Sequence, residues 1–304
     1  MCGITGIWYK SNHKSGIEEV KKMTDRISHR GPDGEGYATL DDGTLFFGHR
    51  RLSIIDLSDA GKQPMEYMNR YTIIYNGEIY NYIELRKILE TKGYSFKTST
   101  DTEVIMAAYD HWGVDCLHQF DGMFAFALYD NETKELFCAR DRFGEKPFHY
   151  SFTELFFAFG SEMKSLWAAG IDTSIDDYSI YLFLNMNLHE DPMDKTRTFY
   201  RNIKRLKPAH YIKIKRGDPI QQICYWKLPL TLKSNDLSFE EACNQFRQMF
   251  ETSVTLRLRT DVPLGTSLSG GIDSSAVSLV MHKLKDPQGQ QKCFSARFQD
   301  PQVD

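Results

Sequence analysis

The chain has 304 residues, of which 41% are hydrophobic and 26% charged, which is typical of a globular protein of about two domains. Its formal net charge of −4 and pI near 6.2 give no reason to expect nucleic acid or an anionic membrane as a partner. No apolar run approaches the roughly 20 residues that span a bilayer, and the N-terminal sequence MCGITGIWYK lacks the pattern of a secretory signal.

Short β-branched and aromatic runs bounded by Gly, Asp and Asn predict strands in the first two thirds of the chain. They are GITGIWY, TLFFGHRRLSIID, YTIIYNGEI, GMFAFALYD and KELFCARD. Apolar residues at helical spacing predict intervening helices over IEEVKKMTDRISHR, YIELRKILETKG and VIMAAYDHWG, the last with Gly113 as its C-cap. We therefore expect an α+β domain over residues 2–215, with antiparallel strands covered by helices.

A less regular stretch follows and predicts a final hairpin and then a linker, over residues 216–237. Ser238 and Glu241 have capping-box spacing at the start of a predicted helix, FEEACNQFRQMFETSVTLRLR. The strand PLGTSLS, a Gly-rich turn and the helix SAVSLVMHKLK then predict the opening of a parallel α/β domain over residues 238–304, with a further strand at CFSARF. Because one such unit cannot close a hydrophobic core, we expect this second domain to be incomplete.

The six cysteines are scattered, without a CxxC pair or a Cys/His metal spacing. In a chain of this length the pattern indicates reduced thiols and a cytoplasmic protein rather than a disulfide framework.

Cys2 directly follows the initiator Met1, and a small second residue favours removal of that methionine. A free α-amine has an ordinary pKa of about 7.7–8.0 and a thiol of about 8.5. The amine of an N-terminal cysteine can therefore take the proton of its own thiol, directly or through one water, so that the nucleophile needs no histidine. The competing interpretation is an ordinary residue near the start of a strand.

Seven motifs change that balance: MCGITGIW, HRGPDG at 29–34, HRRLSIID at 49–56, YNGEIYN at 75–81, STDTEV at 99–104, GMFAFALYD at 122–130 and RDRFGEKPF at 140–148. In this order they resemble the glutaminase domain of class II glutamine amidotransferases, and most of all the glutamine-dependent asparagine synthetases. The resemblance covers almost all of residues 2–215 and implies an N-terminal-nucleophile αββα sandwich in which Cys2 attacks glutamine.

The resemblance implies that Arg51 binds the α-carboxylate of glutamine through its two-pronged guanidinium. The competing interpretation is a surface arginine paired with Asp56, and the adjacent Arg50 competes for the same role. His29 is expected to order its loop rather than act as a base. The SEMK segment at 161–164 also resembles the family, but the sequence assigns no role to its charged residues.

The resemblance further implies that the Asn76 amide and the Gly77 N–H form an oxyanion hole. The competing interpretation is a hairpin turn, because Asn-Gly is the commonest two-residue turn signal. Asp101, with Glu78, is expected to hold the α-ammonium group of glutamine. Capping of the following helix is the alternative or additional role of Asp101.

The segment SLSGGIDSS at 267–275 resembles the PP-loop of ATP pyrophosphatases. Two glycines and a helix N-terminus suit the binding of phosphate, and the absence of GK[ST] distinguishes the segment from a Walker A loop. The alternative is a Ser/Gly-rich turn with a capped helix. The resemblance implies that ATP is bound by Leu268, Ser269, Gly270, Gly271, Asp273 and Ser274, with Asp273 also binding Mg²⁺.

This domain order resembles that of an asparagine synthetase, which hydrolyses glutamine, passes ammonia through an internal tunnel, and amidates aspartate through β-aspartyl-AMP. Glutamine, aspartate and ATP would be the substrates, with ATP and Mg²⁺ as cofactors and a homodimer as a possible assembly. Ala296 and Arg297 depart from the family, so an amidotransferase acting on another carboxylate is the alternative. A non-catalytic glutamine-binding module is a third hypothesis, which the complete set of glutaminase residues disfavours.

Overall fold

The structure is a computed structural model that describes residues 1–13, 15–230, 237–284 and 291–296. It contains two units, Met1–Leu228 and Pro229–Asp304. The first unit extends past residue 215, where the sequence predicts the end of the first domain, because a strand at Ile223–Cys224 pairs with the strand His210–Lys215.

Two six-stranded antiparallel sheets form the centre of the first unit, and their strands are numbered in chain order. The first sheet has the spatial order β10 (Lys204–Arg205), β8 (His149–Phe152), β9 (Phe156–Gly160), β1 (Gly3–Tyr9), β3 (Leu45–Arg51) and β2 (Gly34–Leu40). The second has the order β12 (Ile223–Cys224), β11 (His210–Lys215), β7 (Glu135–Arg140), β6 (Gly122–Asp130), β5 (Tyr71–Ile79) and β4 (Met65–Tyr67).

Helices cover the outer faces of both sheets. The helices of this unit are α1 (Gly16–Asp25), α2 (Tyr82–Glu90), α3 (Asp101–Trp112), α4 (Cys116–Gln119), α5 (Met163–Ala168) and α6 (Asp177–Met186). One apolar cluster joins the two sheets, a second joins the first sheet to α1 and α5, and a third joins the second sheet to α2 and α3. The layers are therefore helix, sheet, sheet and helix.

Strand β1 shows how the sequence produces these layers. Successive side chains of a strand point to opposite faces. In β1, Ile4 and Trp8 lie in the cluster between the sheets, whereas Ile7 and Tyr9 pack under α1 and α5. All seven residues are buried, which explains why GITGIWY is an almost continuous apolar run rather than an alternating one.

The five predicted strands and the three predicted helices of this unit are present, with shifted ends. The first predicted helix stops at Asp25 and is followed by a separate 3₁₀ turn, Ser28–Arg30. The helix α3 ends at Trp112 and is capped by Gly113 at φ 58°, as predicted. None of the helices in the described ranges is long and apolar enough to cross a membrane.

The second unit contains α7 (Phe239–Arg257), β13 (Gly265–Ser267), α8 (Ile272–Leu284) and β14 (Lys292–Phe294). The predicted capping box is present, since Ser238 and Glu241 exchange hydrogen bonds at the start of α7. Strands β13 and β14 pair in parallel on either side of α8 in the chain, as the strand–loop–helix pattern predicts. Arg297, one of the two residues that depart from the family pattern, lies outside the described residues.

Candidate active site

A cavity of about 190 Å³ opens in the first unit where the two sheets meet. Its wall is formed by the start of β1, the end of β3, the second half of β5, the start of α3 and the loop after β7. All six residues predicted for glutamine hydrolysis line this one cavity: Cys2, Arg51, Asn76, Gly77, Glu78 and Asp101.

The Cys2 thiol is half-buried at the start of β1. Its Sγ lies 3.4 Å from the Leu52 N–H nitrogen and 3.5 Å from the Leu52 carbonyl oxygen. Burial raises the pKa of the Cys2 thiol, whereas the Leu52 hydrogen bond, the terminal ammonium and Arg51 act in the opposite direction. Burial also lowers the pKa of the terminal amine, which this structure carries on Met1. Lowering this pKa raises the fraction of neutral amine, which is the form that can accept the proton of a thiol.

Arg51 and Arg50 point to opposite faces of β3, as neighbours in a strand must. Arg51 is buried and lines the cavity, where its guanidinium donates to the backbone carbonyls of Ser58, at 2.7 Å, and Asp56. Gly61 permits this position, because a Cβ there would lie 2.1 Å from Nη2 of Arg51. Arg50 instead pairs with two surface carboxylates, Asp25 and Glu35.

The competing interpretation of Arg51 as a surface arginine paired with the carboxylate of Asp56 is wrong in two respects. Arg51 is buried, and it contacts the backbone carbonyl of Asp56.

Asn76 and Gly77 lie inside β5 and pair with Ala125 and Phe124 of β6, so the hairpin-turn interpretation is wrong. The Nδ2 donor of Asn76 is buried without a hydrogen-bond partner in the described part of the chain. An unpaired buried donor is costly, so it suits an acceptor supplied by a ligand. A Cβ on Gly77 would lie 2.2 Å from the Met123 carbonyl oxygen, which explains the glycine.

Asp101 is buried at the first position of α3 and accepts hydrogen bonds from the Tyr75 hydroxyl at 2.8 Å and the Ile79 N–H at 2.9 Å. It does not cap the helix: the cap is Thr100, whose hydroxyl accepts from the Glu103 N–H. Burial raises the pKa of Asp101, whereas the two hydrogen bonds lower it by a smaller amount. It also raises the pKa of Glu78, with Asp101 adding to the effect. A cation bound between the two carboxyl groups would relieve this repulsion.

Two further residues of the site were missed by the sequence analysis, namely Arg30 and Lys146. Arg30 is buried, with Nε donating to the Cys2 carbonyl oxygen at 2.9 Å and Nη1 to Glu162 at 3.0 Å. His29 also contacts Glu162, at 2.9 Å, which agrees with its expected part in ordering the loop. Both Arg30 and Lys146 belong to motifs quoted for the resemblance, which was the only sequence signal for them.

The loop that is predicted to bind phosphate lies between β13 and α8 in the second unit. Gly270 has φ +86°, and a Cβ there would meet no atom within 4 Å. The hydroxyls of Ser269 and Ser274 lie 3.1 Å apart, and the latter also donates to the Gly271 carbonyl. An open glycine loop followed by a helix N-terminus suits a phosphate group.

Comparison with known sequences agrees with this geometry. The sequence model of the glutamine amidotransferase domain matches residues 1–226. The chain belongs to this glutamine amidotransferase family. The asparagine synthase model matches residues 245–304, so the resemblance noted in the sequence is confirmed.

Two relatives of this amidotransferase come from Bacillus subtilis. The chain is 37% identical to asparagine synthetase [glutamine-hydrolyzing] 1, in an alignment that covers 98% of this chain and 46% of the relative. It is also 37% identical to asparagine synthetase [glutamine-hydrolyzing] 3, in an alignment that covers 92% of this chain and 45% of the relative. The chain thus spans about half the length of these curated relatives.

Among solved structures, the glutamine phosphoribosylpyrophosphate amidotransferase from B. subtilis, complexed with ADP and GMP, aligns with a TM-score of 0.55 at 18% identity. The alignment covers 93% of this chain and 64% of the other. At this identity the likeness concerns the fold alone. The predicted fold class, an N-terminal-nucleophile αββα sandwich followed by an α/β segment, is confirmed.

If Arg51 binds the carboxylate of glutamine as predicted, Arg51→Lys is expected to raise KM for glutamine roughly 10- to 100-fold, which corresponds to losing one charge-assisted hydrogen bond of about 1.5–3 kcal/mol. The value of kcat should change little, since the carboxylate is bound equally in the ground and transition states. Steady-state kinetics of ammonia release measure both constants. Arg50→Lys is the matched control, and a larger KM effect in that variant would transfer the role to Arg50.

Proposed function

We propose that the protein is a glutamine-dependent asparagine synthetase whose first unit releases ammonia from glutamine at Cys2. One observation carries this proposal: a thiol, a guanidinium, an unpaired buried amide and two carboxyl groups converge on a single cavity. This set matches the acidic, basic and amide groups of glutamine. A module that only bound glutamine would not need the thiol.

Glutamine hydrolysis follows from these positions. Removal of Met1 would leave the α-amine on Cys2, where it takes the thiol proton. The thiolate attacks the side-chain carbonyl, and the Asn76 amide and the Gly77 N–H stabilise the resulting oxyanion. The α-ammonium group then returns this proton to the amide nitrogen as the oxyanion collapses, so that the C–N bond breaks and ammonia leaves. Water hydrolyses the remaining γ-glutamyl thioester to glutamate and restores the thiol.

The second unit would bind ATP with Ser269, Gly270, Gly271 and Ser274, and with Leu268 and Asp273 beside them. Adenylation of aspartate would give β-aspartyl-AMP and pyrophosphate, and ammonia would then displace AMP. Among the described residues, no cluster of three His, Cys, Asp or Glu side chains could hold a metal ion. Mg²⁺ often binds through nucleotide phosphates and only one or two carboxylates, so Asp273 alone fits the role. The ion would neutralise phosphate charge.

All six cysteines are free thiols. This agrees with the cytoplasmic location that we propose. A homodimer remains a prediction.

The proposal is tested by incubating the protein with glutamine alone, after mass spectrometry has shown that it starts at Cys2. Release of glutamate and ammonia in equal amounts, without ATP, is expected. Because the relatives are about twice as long, amide synthesis is assayed with the natural full-length gene product, ATP, Mg²⁺ and aspartate. Asparagine, AMP and pyrophosphate are expected. ADP in place of AMP would contradict the PP-loop assignment, and amidation of another carboxylate would contradict the acceptor.

A further inference from the structure

The motif RDRFGEKPF places a lysine in the glutamine cavity, and the chemistry described above does not use it. Lys146 is buried, with 6% of its surface exposed, and it lines the cavity together with Cys2, Glu78 and Asp101. A lysine is seldom buried without a reason, because its ammonium group loses hydration. Its place beside the nucleophile is therefore a feature that needs an explanation.

The loop that carries Lys146 is built to hold it still. Nε of Arg140 donates to the Lys146 carbonyl at 2.7 Å, and the Lys146 N–H donates to the Asp141 carboxylate at 3.0 Å. Arg140 and Asp141 are themselves buried. Gly144 completes the turn at φ +71°, where a Cβ would lie 3.0 Å from the Arg140 guanidinium. The backbone on both sides of Lys146 is thus fixed before any substrate arrives.

The charges of the cavity indicate what the ammonium group does. Glutamine enters as a zwitterion, so its carboxylate would neutralise Arg51 and its ammonium group would neutralise Asp101. One ammonium group shared by Asp101 and Glu78 supplies a single positive charge, so one of the two negative charges remains without compensation from the substrate. Lys146 lines the same cavity as Glu78. Burial and Asp101 raise the pKa of Glu78, whereas Lys146, and after it the terminal amine, lower this pKa.

The positive charge of Lys146 also acts on the terminal amine. Burial lowers the pKa of the terminal amine, which this structure carries on Met1. Cys2 and Asp33 oppose this effect, and Arg30 and Lys146 lower the pKa further. Burial also lowers the pKa of Lys146, while Glu78, Glu145 and Cys2 act to keep it charged. The charged or titratable groups around Lys146 are the terminal amine, Cys2, Arg30, Asp33, Arg51, Glu78, Asp101 and Glu145.

We propose that Lys146 is a positioning residue for nucleophile activation: its ammonium group keeps Glu78 ionised and the terminal amine neutral, so that each group is in its working protonation state. Lys146 acts through these two groups and not on the substrate. The inference rests on the glutaminase function proposed above, and it assigns a functional role to the lysine of the RDRFGEKPF motif.

The first test is the pH dependence of kcat/KM in Lys146→Met. Removing a positive charge raises the pKa of a nearby carboxyl group and of a nearby amine alike. Both groups must be deprotonated to work, so the acidic limb of the profile should move to higher pH by roughly half to one unit. Lys146→Arg keeps the charge and should restore the limb. If the acidic limb of the pH profile does not move in Lys146→Met, the proposal is overturned, whether or not KM or kcat changes.

The second test does not use glutamine. Alkylation of Cys2 by iodoacetamide is followed across pH by the mass of the N-terminal peptide, and the midpoint reports thiolate formation. Lys146→Met should move this midpoint upward. Lys213→Met is the matched control, since Lys213 pairs with Glu135 on β7 outside the cavity, and it should leave the midpoint unchanged. An unmoved midpoint in Lys146→Met, or an equal shift in the control, would overturn the proposal.

The two proposals fail in different ways. A wild-type protein that releases no ammonia refutes the glutaminase function, while its alkylation midpoint still tests the electrostatic role of Lys146. A protein that hydrolyses glutamine with the same pH limb in all three Lys146 forms refutes only the role of Lys146. Thermal unfolding of each variant shows whether it is folded. If Lys146→Met does not fold, the pH profile and the alkylation midpoint of Lys146→Arg test the proposal.

Discussion

Cys2→Ala is expected to lower glutamine hydrolysis by at least about 10³-fold, because the thiol forms the bond that splits the reaction into two steps. Cys2→Ser should lose almost as much, since an alcohol is a weaker nucleophile than a thiolate. Glutamine binding should survive in Cys2→Ala, because Arg51 and Asp101 are the residues that we propose to contact the substrate. Ammonia release measures the first effect, and calorimetric titration with glutamine measures the second.

The control is Cys224→Ser, a half-buried cysteine whose Sγ donates to the Trp226 carbonyl at 3.2 Å. Serine can keep this contact, so activity should be unchanged. Retention of turnover in Cys2→Ala would refute the nucleophile. An N-terminal extension that resists processing should be as damaging as Cys2→Ala, because it converts the α-amine into an amide without basicity.

Asn76→Ala is the second large effect: kcat is expected to fall about 10²- to 10³-fold, as it does when one oxyanion donor is removed. KM should move little, because the donor acts on charge that develops after the attack. Asn76→Asp should be at least as harmful, since it places a second negative charge against the oxyanion. Single-turnover measurement of thioester formation locates the loss in the chemical step.

Asn81→Ala is the matched control from the same motif. Nδ2 of Asn81 donates to the Gln119 carbonyl at 2.9 Å, a contact that holds the start of α2 and not the cavity. This variant should keep kcat and lose some thermal stability. If Asn81→Ala lost as much kcat as Asn76→Ala, the Asn76 effect would be structural and the oxyanion assignment would fail.

Local sequence patterns predicted the long strands well and the short ones poorly. GMFAFALYD and YTIIYNGEI are rich in aromatic, β-branched or other apolar residues, and both form nine-residue strands. GEGYATL carries two glycines, and β4 has only three residues, so neither has a pattern that indicates a strand without its partners. Asn76-Gly77 shows the limit most clearly: the local signal favours a turn, but pairing with β6 holds the two residues in the middle of β5.

The site residues were predicted through resemblance and could not have been found from local pattern. Nothing in the sequence shows that Arg30 and Lys146 are buried, since arginine and lysine in polar loops are usually solvated. Burial of such groups depends on contacts across more than a hundred residues, such as Arg30 with Glu162. The opposite orientation of Arg50 and Arg51 was, in contrast, open to prediction from the alternation of a strand.

The cavity takes its nucleophile and its oxyanion donors from different sheets. Cys2 directly precedes β1 and Arg51 ends β3, both of the first sheet, whereas Asn76, Gly77 and Glu78 belong to β5 of the second. Their mutual distances are therefore set by the apolar cluster between the layers, in which Phe47, Phe148 and Phe159 are fully buried. The distance between the Cys2 thiol and the Asn76 amide therefore depends on how the two sheets pack. Any sliding of one sheet along the other would change this distance. Core residues that never touch glutamine thereby acquire a direct influence on the rate.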